Sequence, residues 1–244
     1  MTVPATGRRA ELADNLAALR ARIAAACEAA GRELREITLI AVTKTWPVSD
    51  IRLLAGLGVA DIGENRDAEA APKAAQCADL PLTWHFVGQL QTRKCRSVAG
   101  YADVVHSVDR PHLVQVLARE ALRAERTIMC LVQVSLDGGA GAPGVAGAPR
   151  GGVPAGEALP LADQVAAQDG LRLGGVMAVA PLGAPPFEAF RRLAEVAATV
   201  RARHPAAVMI SAGMSGDLEE AIDAGATHVR VGTALLGARR VFVR

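Results

Sequence analysis

The chain has 244 residues, 51% of them hydrophobic, and a formal net charge of +2. That is enough for one large α/β domain or two small ones with a sizeable core, yet no uninterrupted apolar run reaches the ~20 residues of a membrane span. Basic residues are dispersed and only seven aromatic side chains are present, so neither a membrane nor nucleic acid is indicated as a partner.

The first residues, MTVPATGRRAELADN, lack the apolar centre of a signal peptide, and the expectation is a soluble, cytoplasmic protein. Residues 8–30 repeat Leu, Ile and Ala at helical spacing and stop at Gly31, which predicts an amphipathic opening helix. Thereafter short apolar or β-branched runs alternate with helical stretches. The runs are 37–43, 59–63, 84–88, 104–108, 128–135, 173–180, 207–211 and 228–232; between them lie helical segments such as 49–58, 110–124, 186–204 and 217–225.

Eight strand candidates in alternation with helices point to parallel βα units. The length suits closure into a (β/α)8 TIM barrel, expected as a single domain over 1–244. An open doubly wound sheet is the alternative, but no G-x-G-x-x-G follows the first strand. Residues 137–156, nearly all Gly, Ala and Pro, predict a flexible surface loop after strand five, either an inert insertion or a flap over the barrel mouth.

Cys27, Cys77, Cys95 and Cys130 are isolated, with no C-x-x-C pair and no His at ligand spacing, so reduced, buried thiols and no metal site are expected. Lysine is the scarce residue. Only Lys44, Lys73 and Lys94 occur among 27 basic residues, which suggests that a retained lysine serves its amine chemistry.

In a parallel barrel the active site lies at the C-terminal strand ends, where Lys44 sits on strand one. A lysine in a partly desolvated pocket has a lowered pKa and can attack a carbonyl to form a Schiff base. Across the chain, Ser211, Gly213, Ser215 and Gly216 follow strand seven and lead into a helix, with Asp217 and Glu220 at capping-box spacing. Gly232 and Thr233 follow strand eight. Hydroxyls and amides after these two strands suit a phosphate. A reactive lysine opposite a phosphate cup describes a pocket for a phosphorylated aldehyde.

The motifs TLIAVTKTWP, IGENRDAE, WHFVGQLQTRK, HSVDR, GGVMAVAP, SAGMSGDLEEAI and HVRVGTALLGAR resemble, in order, those of the pyridoxal-phosphate homeostasis proteins, single barrels similar to the N-terminal domain of alanine racemase. The resemblance runs from about residue 10 to 240. It implies that Lys44 carries pyridoxal 5′-phosphate (PLP) as a Schiff base, that Asn65 lies beside the pyridine ring, and that Met177 forms pocket wall. It further implies that Ser211, Met214, Ser215, Gly232 and Thr233 hold the phosphate and that Arg230 faces the pyridine nitrogen. An always-charged Arg there disfavours protonation of the ring nitrogen and weakens the cofactor as an electron sink, so imine exchange is a more natural activity than carbanion chemistry.

Two departures stand out. Arg93 precedes Lys94 where the family more often has Asn, and the long 137–156 segment replaces a short Glu/Ser/Lys-Gly stretch, so no role is carried onto either loop. His85 and Gln91 belong to the same strand-three motif as Lys94; His85 reads as a hydrogen-bonded core histidine. The implied function is PLP binding and intracellular PLP homeostasis by a monomer, buffering the cofactor or delivering it to PLP-dependent apoenzymes. The alternative is a racemase-like enzyme, but the second base that alanine racemase takes from a tyrosine of a separate β domain has no counterpart: the single tyrosine is Tyr101, ahead of strand four, and the chain ends just after the eighth βα unit. A phosphosugar aldolase with Lys44 as its imine lysine is a third reading, and it leaves the collinear motifs unused.

Overall fold

The first helix, α1 (Ala5–Ala29), ends where Gly31 interrupts its period, and Arg32 N–H closes the end on the Cys27 carbonyl at 2.8 Å. The computed structural model describes residues 5–136, 151–181, 183 and 185–238, with side chains from residue 7 onward. Eight parallel strands close a barrel in sequence order, β1 (Thr38–Val42), β2 (Asp61–Glu64), β3 (Thr83–Phe86), β4 (Val104–Val108), β5 (Ile128–Gln133), β6 (Leu171–Met177), β7 (Met209–Ser211) and β8 (His228–Val231), with β8 returning to β1. Helices α2 (Val48–Ala55), α3 (Asp67–Gln76), α4 (Cys95–Ala99), α5 (Pro111–Arg123), α6 (Ala158–Ala166), α7 (Pro186–Arg203), α8 (Leu218–Asp223) and α9 (Thr233–Leu236) follow the strands in turn. The fold is the expected (β/α)8 barrel.

Strand alternation divides the side chains into two sets. Ala41, Ile62, Trp84, Phe86, Val105, Cys130, Val132, Ile210, Val229 and Val231 pack outward against the helices in the two large apolar clusters. The opposite parity faces the barrel axis. There Val104, Leu131 and Met177 form a small apolar cluster, and buried His85, His106, Ser211 and Arg230 supply polar groups. The core that stabilises the fold thus lies between sheet and helices, while the interior is free to hold polar chemistry.

All four cysteines are buried and unpaired, as expected. Among the described residues, no helix is long and apolar enough to cross a membrane and no metal-binding cluster occurs. The predicted loop needs a correction at its C-terminal end. Residues 137–150 lie outside the described residues, but Val153 is buried and bridges Val134 in parallel, its N–H donating to the Gln133 carbonyl at 2.9 Å. The 3-10 turn Ala155–Glu157 then leads into α6. A lone valine amid Gly and Pro carries too little pattern to announce a strand pairing.

Candidate functional site

Lys44 follows β1 by two residues and lies in a turn, half-buried, on the parity that faces the barrel axis. The turn is gripped from outside. Lys73 Nζ donates to the Thr43 carbonyl at 2.8 Å, to Glu64 Oε1 at 2.7 Å and to Glu69 Oε1 at 2.6 Å, and the same Glu69 oxygen accepts the Thr45 N–H. Thr45 is held at φ 70°, a left-handed conformation that costs a β-branched residue on the order of 1–3 kcal/mol. Arg8 of α1 stacks over Trp46, 4.6 Å from the ring centroid, and pairs with Asp50 of α2 at 2.7 Å.

Asn65 follows β2 directly. Since Val42 pairs with Gly63, the parallel register carried two residues on brings Lys44 level with Asn65. The loop after β3 closes over Asn65: a Cβ on Gly88 would stand 2.0 Å from the Asn65 carbonyl oxygen, so only glycine fits there. Lys94 in this loop pairs with Asp67 at the start of α3, at 3.1 Å, and Gln91 accepts a hydrogen bond from Arg93. These three side chains tie the loop to itself and to α3. Met177 is buried at the end of β6, in the interior cluster.

After β7 the chain turns at Gly213 (φ 84°), where a Cβ would lie 2.6 Å from Ala221 Cβ. Met214 and Thr233 are exposed, Ser215 and Gly232 half-buried. Ser215 Oγ accepts the Ala234 N–H at 3.2 Å, which joins the turn after β7 to the start of α9. The anticipated capping box does not form. Asp217 turns back instead, and its Oδ1 accepts the Met214 N–H at 2.6 Å. The backbone N–H groups of Ser215, Gly216 and Thr233 keep no acceptor among the described residues. Helix α1 braces both turns: Arg22 donates to the Ser215 carbonyl at 3.1 Å and Asn15 to the Leu235 carbonyl at 3.0 Å.

Ser211 stands apart from this cup. Fully buried in the barrel, its Oγ accepts a hydrogen bond from Arg230 Nη1 at 2.6 Å and lies 3.0 Å from His106 Nδ1. Its hydroxyl is thus committed to Arg230 rather than open to a phosphate. The second arm of Arg230, Nη2, donates to the Ala178 carbonyl at 2.9 Å, and among the described residues no carboxylate pairs with it. Burial pushes the guanidinium down to about 10, against the pull of Asp217. A buried cation supported only by neutral acceptors is costly unless an electron-rich group completes its surroundings.

The residues expected after strands one, two, six, seven and eight therefore lie toward the C-terminal end of the parallel barrel, with Ser211 displaced inward. Lys73, Glu69, Asp61 and His106 were not anticipated. The scarcity of lysine pointed to Lys73 as much as to Lys44, and His106 stands at the interior parity of VVHSV.

The family described as "Alanine racemase, N-terminal domain" matches residues 15–240. A relative from Mycobacterium tuberculosis named "Pyridoxal phosphate homeostasis protein" is 43% identical, with 96% of this chain and 95% of that protein covered. The structure of PipY from Synechococcus elongatus with PLP bound is similar at a TM-score of 0.78 and 32% identity, covering 93% of this chain and all of that one. Alanine racemase from Corynebacterium glutamicum shares the fold alone, at 17% identity and a TM-score of 0.65, with 97% of this chain and 62% of that one covered. By the extent of these matches the chain belongs to the pyridoxal phosphate homeostasis family, built on the alanine racemase N-terminal barrel.

Proposed function

We propose that the protein binds PLP as a Schiff base on Lys44 and acts in cytoplasmic PLP homeostasis, buffering the cofactor or passing it to apoenzymes. When bound, PLP supplies a reactive aldehyde and an aromatic ring able to accept electron density. The residues that hold it are those of this chain. Lys44 provides the amine, on a turn fixed by Lys73 and Glu69. Ser215 and Thr233, with the backbone amides between β7 and α8 and at the start of α9, receive the phosphate; Asn65 and Met177 flank the ring. Gly232 stands between β8 and α9, at the N-cap position of that last helix.

The observation that carries this reading is Arg230. Its buried guanidinium, held by Ser211 and Ala178 and unpaired with any described carboxylate, suits a lone-pair acceptor such as a pyridine nitrogen. A permanent cation there keeps that nitrogen unprotonated, which favours holding and exchanging the aldehyde over racemisation. Tyr101 offers no second base: it is half-buried, edge-on against Trp84, with its occluded hydroxyl pushed up by desolvation.

The test is the absorbance of the purified protein between about 300 and 500 nm, a range set by conjugated imines of this cofactor, followed by borohydride reduction and peptide mapping. A visible band that becomes a pyridoxyl adduct on Lys44, absent in Lys44→Ala, is the expected result. A protein that takes up no added PLP, or an adduct on another lysine, overturns it. Rapid exchange of an amino acid's α-proton in deuterium oxide would favour the racemase-like alternative.

A further inference from the structure

Five side chains run through the barrel interior in unbroken contact. Asp61 Oδ1 lies 2.9 Å from His85 Nε2; His85 Nδ1 lies 2.9 Å from His106 Nε2; His106 Nδ1 lies 3.0 Å from Ser211 Oγ; and Ser211 Oγ takes the 2.6 Å bond from Arg230. Asp61 opens β2 and is partly exposed, whereas both histidines and Ser211 are buried. We propose that Asp61, His85, His106 and Ser211 are positioning residues that form a one-way hydrogen-bond relay holding Arg230, with Asp61 as its remote counter-charge.

The direction follows from counting protons. Arg230 can only donate, so Ser211 Oγ accepts from it. Among the described residues, the single hydroxyl proton of Ser211 is given one buried acceptor, His106 Nδ1. A neutral His106 then carries its proton on Nε2 and gives it to His85 Nδ1. His85 in turn carries its proton on Nε2 and donates to the Asp61 carboxylate. Every donor meets one acceptor. The reverse order would require either a His85 imidazolium in an interior that already holds Arg230 or a protonated, partly exposed Asp61, and would leave the Ser211 hydroxyl proton without an acceptor, which is costly in a buried site. Full burial keeps His106 neutral, its pKa well below the ordinary value, and His228, which also faces His85, is held down to about 4.

The consequence concerns the cation that faces the bound ring. Each bond in a chain of this kind polarises the next, so the Asp61 charge at the opening of β2 adds to the through-space pull of Asp217 in partly offsetting Arg230, with no carboxylate bonded to the guanidinium among the described residues. The effect on the cofactor rests on the PLP reading above; the relay itself does not.

The experiment therefore has a cofactor-free arm. In the full-length protein with labelled histidines, nitrogen NMR at pH 8 should show His85 and His106 neutral, each protonated on Nε2. A proton on Nδ1 of either ring, or an imidazolium, overturns the relay. In Asp61→Ala the ring nitrogens of His106 should shift although Asp61 does not touch that ring, and Asp61→Asn, which keeps an acceptor oxygen but not the charge, should return them only in part; a His106 signal indifferent to both refutes transmission. With PLP added, the pH midpoint of the visible band should move in Asp61→Ala, and a loaded variant with an unmoved midpoint removes the positioning role. Wild-type protein that binds no PLP would sink the cofactor reading while the NMR result still judges the relay.

Discussion

Lys73 Nζ donates to the Thr43 carbonyl at 2.8 Å, so an α3 side chain grips the backbone one residue before Lys44. Its buried partner Glu64 also accepts from Thr43 Oγ1, at 2.6 Å. Removing one member of a buried ion pair leaves the other uncompensated, so Lys73→Met should destabilise the fold by about 3–5 kcal/mol in urea unfolding. Lys73→Met with Glu64→Gln should recover much of that loss, because no buried charge is then stranded. A single-variant loss below about 1 kcal/mol, the scale of an exposed pair, would show that the cluster is not a grip.

Acid should act through the histidines of the barrel interior, buried His106 and half-buried His228. Burial holds His228 down to about 4 and His106 well below its ordinary value. An unfolded histidine protonates near pH 6.5 and these do not, so their contribution is full above about pH 6.5 and is lost as pH falls toward 4. Glu64, raised by burial, works in the opposite direction, and a variant is needed to isolate the histidine effect. Between pH 7.5 and 4.5 the wild type should lose more stability than His228→Gln, by on the order of 2 kcal/mol, most of the full shift. Equal losses in urea titrations of the two proteins would refute this origin.

The barrel was legible because each strand carries its own apolar run and the longer helices, such as α5 and α7, their own period, signals that need no tertiary information. Lys44 was legible for a different reason: it ends such a run and is one of three lysines. Asp61, His85, His106 and Ser211 come from four strands, and only closure of the barrel sets them in line. The same holds for Asp217, whose spacing to Glu220 matched a capping box but whose carboxylate found the Met214 amide first. Local spacing cannot decide between two donors that compete for one acceptor.

Ser215→Ala with Thr233→Ala should weaken PLP retention. Each lost hydroxyl bond is worth about 0.5–1.5 kcal/mol, so together the dissociation constant should rise roughly five- to a hundredfold in equilibrium dialysis. Ser215 also accepts the Ala234 N–H at 3.2 Å, and part of its effect will come through that turn. Unchanged affinity in the double variant would place the phosphate elsewhere.

The helix α1 braces offer a test that leaves every proposed PLP ligand in place. Asn15 and Arg22 bond the carbonyls of Leu235 and Ser215, one in each cup turn, and Arg22 also pairs with Glu219 at 2.8 Å. Because the Arg22–Glu219 pair is partly exposed, Arg22→Ala should cost the fold under about 1 kcal/mol. Asn15→Ala leaves a part-buried carbonyl without its donor and should cost about 1–3 kcal/mol. If the cup depends on backbone amides kept in register by α1, the double variant should release PLP faster while the Lys44 adduct still forms on reduction, since Lys44 lies on the other side of the barrel seam at β1. Release as slow as in the wild type would show that β7 and β8 hold the cup turns without help from α1.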